Sequence, residues 1–208
     1  MNAEKVLSSI NLIVEKYNSS IAQTPEFEAL AQSLREEIAL AEQKKAGKAD
    51  RFKAALRFSK KVNKEFAKNR PATAGAFLDD KGRQIILHPH YAVRYEKPID
   101  GLVEAGEGNR PASIGSIFEK YDSTLEVTLP TLAELKTKLK LDKAEGKLTD
   151  EGRSLTELQG KFYNTDYLIQ LIEMVEPTDA YFSSSAKFPM LVIIGEDSRG
   201  IVCPINIK

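Results

Sequence analysis

The chain has 208 residues, 42% of them hydrophobic, and its thirty basic side chains balance thirty acidic ones. That length suits one domain with an appendage or two small domains, and the apolar share is enough for a core. A net charge of zero excludes a chain that attracts nucleic acid as a whole, so any such role must come from charge segregation. The single cysteine, Cys203, excludes an intrachain disulfide framework and suits a reducing cytoplasm. Met1-Asn2-Ala3-Glu4 lacks the basic start of a signal peptide, and no apolar run approaches the ~20 residues that span a bilayer. The expectation is a cytoplasmic protein with no membrane partner.

Residues 3–17 place Val6, Leu7, Ile10, Val14 and Tyr17 at helical spacing, and Asn18-Ser19-Ser20 breaks them. Thr24-Pro25-Glu26 starts a second helix with a capping hydroxyl, a first-turn proline and an acid at the positive dipole end. Phe27, Leu30, Leu34 and Ile38 carry its stripe to about Lys45, and Gly47 is the stop. The sequence from 1 to 47 is thus a helical hairpin. It cannot bury both stripes alone, so it docks on the rest of the chain or on another copy.

The stretch 50–98 organises the remainder. Asp50 is an expected N-cap, and Pro71 follows the helix end. Phe52, Ala55, Leu56, Val62 and Phe66 fall on one face. Lys53, Arg57, Lys60, Lys61, Lys64 and Lys68 crowd within an arc of roughly 100° on the other, with Glu65 at its edge. Like charges one turn apart cost ~0.2–0.5 kcal/mol per pair in an isolated helix. The arc is either a solvated face or a stripe that meets a polyanion such as duplex DNA.

Thr73–Leu78, Arg83–Leu87 and Tyr91–Tyr95 read as strands, with a hairpin turn at Asp79-Asp80-Lys81-Gly82. Gly101, Gly106, Gly108, Pro111 and Gly115 make 100–122 a loop with a short buried piece at Ile114–Phe118. No Gly-Lys-Ser/Thr follows, so this is not a phosphate loop. Leu125–Leu129 alternates as a strand. Thr131-Leu-Ala-Glu134 is a capping box opening a helix to about Leu139, and 143–153 is polar and loop-like. Leu155–Phe162 is a further strand. Asn164 caps a helix with Tyr167, Leu168, Leu171, Ile172 and Val175 inward, and Pro177 ends it. Ala180–Ser184, Met190–Gly195 and Gly200–Ile207 are closing strands, the last two joined by a turn at 196–200. Helix then strands occurs twice, which predicts an α+β domain with a helix pair on one face of antiparallel strands.

Here the residues resemble the bacterial DNA polymerase sliding clamp, the beta clamp. That family has a helix ending near Arg-Pro and a strand leading into Ala-Thr-Asp-Gly-His-Arg-Leu-Ala. Here the stretch is Ile86-Leu87-His88-Pro89-His90-Tyr91-Ala92-Val93, where His90 matches the family histidine. Phe162-Tyr163-Asn164-Thr-Asp-Tyr167-Leu168-Ile-Gln-Leu171 looks like the family's Phe-Asn-x-x-Tyr-Leu helix start with one residue inserted. Ile201-Val202-Cys203-Pro204-Ile205-Asn206-Ile207 looks like the closing Val-Val-Met-Pro-Met-Arg-Leu. The resemblance covers about 50–98 and 160–208, and implies a clamp-like domain at 48–208 behind the 1–47 hairpin.

The resemblance also implies a non-catalytic, oligomeric processivity factor for DNA replication or repair, with no cofactor. It places a groove for short peptides of replication and repair proteins at His90, Tyr91, Ala92, Ile201, Cys203, Pro204 and Ile205, and DNA contacts at the basic arc. The departures are plain. A clamp chain has three such domains and pairs into a six-domain ring, whereas this chain has room for one. Leu87-His88-Pro89 replaces Thr-Asp-Gly. The second helix offers Asp166, Gln170 and Glu173, and an acidic stripe there would repel phosphate inside a ring. The rival reading is an oligomeric assembly module with no DNA role. His88-Pro-His90 lacks a third metal ligand, Cys203 lacks a basic neighbour, and no nucleophile–base order stands out, so no enzyme is expected.

Overall fold

The computed structural model describes residues 3–17, 24–108, 110, 114–184 and 189–206. The expected break at 18–20, the side chains of Val14 and Tyr17, Pro111 and the strand end at Ile207 lie outside the described residues. Helix α1 spans Ala3–Tyr17 and α2 Pro25–Lys45, the latter capped by the Thr24 hydroxyl, which accepts from the Phe27 amide. The α2 helix docks on the rest of the chain. Ala39 enters the main core, and the Gln32 amide donates to the Gly101 carbonyl at 2.9 Å.

Helix α3 spans Ala49–Phe66. Lys48, not Asp50, is its N-cap, and no side chain caps it; Asp50 lies in the first turn and accepts from Lys53 instead. Strands β1 (Ala76–Leu78), β2 (Gln84–His88) and β3 (Tyr91–Tyr95) follow as a meander. Thr73 belongs to a 3-10 turn at Pro71–Thr73 rather than to β1. After a 3-10 helix at Ile114–Glu119 comes α4, Leu132–Ala144, longer than its capping box announced. The expected strand Leu155–Phe162 is a hairpin, β4 (Leu155–Leu158) and β5 (Lys161–Asn164), because Gln159 and Gly160 both take positive φ and reverse the chain. Helix α5 (Thr165–Val175) starts at an Asn164 cap. Strands β6 (Asp179–Phe182), β7 (Leu191–Ile194) and β8 (Ser198–Val202) complete the chain, so Ser198–Gly200 lies in the strand rather than the turn.

The two helix-plus-three-strand halves join through β3 and β8 into one antiparallel sheet of order β1-β2-β3-β8-β7-β6. The protein is α+β, with helices packed on an antiparallel sheet. Alternation sorts the two faces. Ile86, Tyr91, Val93, Tyr95, Leu191, Ile193 and Val202 meet α3 and α5 in the main core. Gly200 permits close approach: a Cβ there would meet Leu171 of α5 at 3.0 Å. The opposite face is covered too. Phe77, Ile85, Ala92, Val192 and Ile201 pack under Phe118 of the 3-10 helix.

Both sheet edges are occupied, which removes the hazard of open strand edges. Ala76 exchanges hydrogen bonds with Val103 and Ala105, and residues 122–127 run along β6. That second run is the expected strand Leu125–Leu129, and it makes only one bridge. Val127 enters the core while Leu125, on the same face of an ideal strand, is 43% exposed, so the segment does not hold a pleat.

Candidate nucleic-acid interface

Seven positions of α3 point at the core: Arg51, Phe52, Ala54, Ala55, Phe58, Ser59 and Val62. Leu56 and Phe66 of the expected stripe are only half-buried, and Phe58 is a core member that the expected face left out. The buried arc is wide because α2, α5 and the sheet all press on this helix.

The basic arc divides into committed and uncommitted cations. Arg57 pairs with Glu173 of α5 at 3.0 Å, and Lys60 with Glu36 of α2 at 2.8 Å. Lys53 pairs with Asp50. Lys61 holds its ammonium 5.9 Å from the ring centroids of both Tyr91 and Tyr167. Lys61, Lys64 and Lys68 have no carboxylate partner within ion-pair distance among the described residues. Lys68 lies beyond the helix end, in the turn that follows Phe66.

Two of the three polar positions expected on α5, Gln170 and Glu173, are also committed. Asp166, Gln170 and Glu173 are half-buried rather than exposed. Gln170 accepts from the Tyr91 hydroxyl at 2.7 Å, and Glu173 bridges Arg57 and Lys136. Two cations on one carboxylate leave little negative field to oppose a phosphate.

Beside these lysines the aromatic rings stack. Phe58 lies on Tyr91 at 4.7 Å, Tyr91 on Tyr167 at 4.4 Å, and Tyr167 on His90 at 6.1 Å, with interplanar angles of 18°, 22° and 12°. His88 sits against this column, 4.7 Å from Tyr91, and its Nδ1 accepts from the His90 amide. Burial, then the Lys61 ammonium and His90, lower the His88 pKa to about 4, so the ring is neutral at pH 7. The half-exposed Glu65 carboxylate, 3.8 Å away, does not offset this. Burial likewise pushes the Tyr91 phenol far up.

An unfolded histidine titrates near 6.5, so below that pH the unfolded chain binds a proton the folded one refuses. The His88 contribution is therefore complete above about pH 6.5 and lost as pH falls toward 4. Urea midpoints should show about 2–3 kcal/mol less stability at pH 4.5 than at pH 7. His88→Asn should flatten that slope. An unchanged slope in the variant refutes the assignment.

The seven groove positions do not share one surface. Tyr91 is 2% exposed and faces the helices, whereas Ala92, fully buried, and Ile201 face the opposite layer. These three are closed to a peptide, a correction to the groove expectation that follows from strand alternation. His90 is exposed, and Cys203, Pro204 and Ile205 are half-buried beyond β8. The Cys203 amide donates to the His90 carbonyl and the Ile205 amide to the Phe162 carbonyl. Burial raises the Cys203 thiol pKa.

On the far face lies a cluster the sequence reading missed. Arg94, fully buried, stands directly opposite Arg199 across β3 and β8, with Arg83 nearby. Glu119 takes all three guanidiniums: Arg83 at 3.2 Å, Arg94 at 2.8 Å, and Arg199. A lone arginine in the alternating run Tyr91–Tyr95 was the available signal, since a residue between core positions faces the second layer.

Among the described residues no group of three His, Cys, Asp or Glu side chains is placed to hold a metal, and no helix is long and apolar enough to cross a membrane. No protein-family model matches the chain, and no curated protein matches it. Among solved structures it is similar to the DNA polymerase III beta chain of Streptococcus pneumoniae TIGR4, at 14% identity and a TM-score of 0.35. That likeness covers 63% of this chain and 43% of the other, so the chain spans less than half the length of that neighbour. Nothing about activity transfers at this similarity.

Proposed function

We propose that this chain is a non-catalytic, sliding-clamp-like module that contacts DNA through the outer face of α3. One observation carries the reading. The two segments that resemble the clamp family, far apart in sequence, form the two halves of one sheet and helix pair, and Lys61, Lys64 and Lys68, which have no acid partner among the described residues, lie beside that pair. Of the acids that argued against DNA, Glu173 is paired with both Arg57 and Lys136.

The test is anisotropy of a labelled duplex titrated with protein across salt concentrations. Wild-type protein should bind at low salt, with a log–log salt slope of roughly −0.9 for each phosphate contacted. Combined Lys64→Glu and Lys68→Glu should weaken binding and lower the salt slope while leaving the melting temperature nearly unchanged, since these two side chains bridge to no acid among the described residues. Adding Lys61→Glu should remove binding at some cost in stability, because Lys61 also lies over Tyr91 and Tyr167. Absence of wild-type binding to both this duplex and a single strand of equal length at low salt overturns the DNA reading.

The assembly module is the second reading, favoured by Leu12 and Leu30 of the helical hairpin, 63% and 50% exposed. A single-domain protomer encircles DNA only by oligomerising. Light scattering that gives a strict monomer therefore leaves a clamp-like module that docks on DNA without encircling it.

A further inference from the structure

The aromatic column beside α3 runs from the core to the surface. Phe58 is 2% exposed, Tyr91 2%, Tyr167 is half-buried, and His90 is exposed. Each successive pair is close to parallel. Packing alone accounts for the buried rings. It does not account for a stack that continues in the same orientation past the edge of the core. The Tyr91 hydroxyl bond to Gln170 and the Cys203 amide bond to the His90 carbonyl hold the column and its last member in place.

The chemistry beside the exposed end is cationic. Lys61 lies over two of the rings, and Lys64, exposed, follows it one turn along α3. Glu65 and Asp166 also border the site; Asp166 is half-buried at the α5 N-terminus. Arg153 near Tyr167 is paired with Glu151. A stacking ring with lysines alongside has the two elements by which proteins hold single strands: a flat surface for the base and cations for the backbone. Duplex DNA, whose bases are already stacked, offers no face to such a ring.

We propose that the His90–Tyr167 end of the column is a platform for an unpaired nucleotide, with a base stacked on the exposed imidazole and its phosphates against Lys61 and Lys64. This rests on the reading of α3 as a DNA-facing element and specifies which DNA it meets: a strand with unpaired bases. Sequence preference should be weak, because every base has a π-face.

The experiment compares three labelled oligonucleotides of equal length in low salt: oligo-dT, an abasic strand with the same phosphates, and a duplex. Oligo-dT should bind about tenfold more tightly than the abasic strand, the size expected for one stacked base. His90→Ala should erase that difference while leaving abasic-strand affinity unchanged, and His90→Phe should keep it. Equal affinities for oligo-dT and the abasic strand, or a difference that survives His90→Ala, overturn the platform even where the duplex is bound. Failure of all three to bind overturns the DNA reading and the platform with it.

Discussion

Ala92→Arg should leave the protein largely unfolded. Ala92 is fully buried in the outer layer, opposite Leu87 on one neighbouring strand and Ile201 on the other, beneath Phe118. Overpacking a filled layer costs about 1–3 kcal/mol. The new guanidinium would also lack a carboxylate, because Glu96 and Glu119 are already engaged by Arg83, Arg94 and Arg199. The sum exceeds about 4 kcal/mol, most of the stability of a marginal domain. Circular dichroism and urea unfolding read this directly. If Ala92 lined an open groove, the same substitution would leave the melting temperature unchanged, so a variant as stable as wild type refutes the burial.

Glu119→Ala should cost about 2–4 kcal/mol, because removing one partner of a buried ion pair leaves an uncompensated charge. Like charges directly opposite on neighbouring strands repel, and Arg94 and Arg199 are so placed. Their shared carboxylate comes from the 114–119 helix, so one side chain ties the cover to the sheet. The value falls below that of a fully buried pair for two reasons: Arg94 keeps Glu96 and the Gly115 carbonyl, and Glu119 is itself 43% exposed. Replacing both partners, as in Arg94→Leu with Glu119→Ala, should recover part of the loss, since apolar residues often substitute for a buried pair without penalty.

Burial pushes the Glu119 pKa up, but the hydrogen bond and charge of Arg94 and the Arg199 charge outweigh it and hold the carboxyl below its usual range. Its contribution is thus present above the unfolded value near 4.3 and lost as pH falls below it. The acid limb of the stability curve should be shallower in the Ala variant. A single-mutant cost under half a kcal/mol would show that the network contributes little.

The sequence by itself determined the local elements. Thr24, Thr131 and Asn164 cap helices because a short side-chain oxygen satisfies amides that no helix can satisfy internally. The repeat of helix and strands was legible from periodicity, and with it the α+β class.

Only the tertiary structure decided what covers each face. An alternating strand looks the same whether its second face meets solvent or another layer, so the burial of Ala92 and Arg94 was invisible until the 114–119 helix was seen to lie over them. The same limit applies to charge. The basic arc of α3 reads as one stripe along its own helix, but Glu36 and Glu173 reach it from α2 and α5 and leave a smaller set of free cations. The aromatic column draws on α3, the turn after β2, the start of β3 and α5. Side-chain chemistry is written along the chain, but contact between segments more than a hundred residues apart is set by packing, and packing chose which of these residues meet.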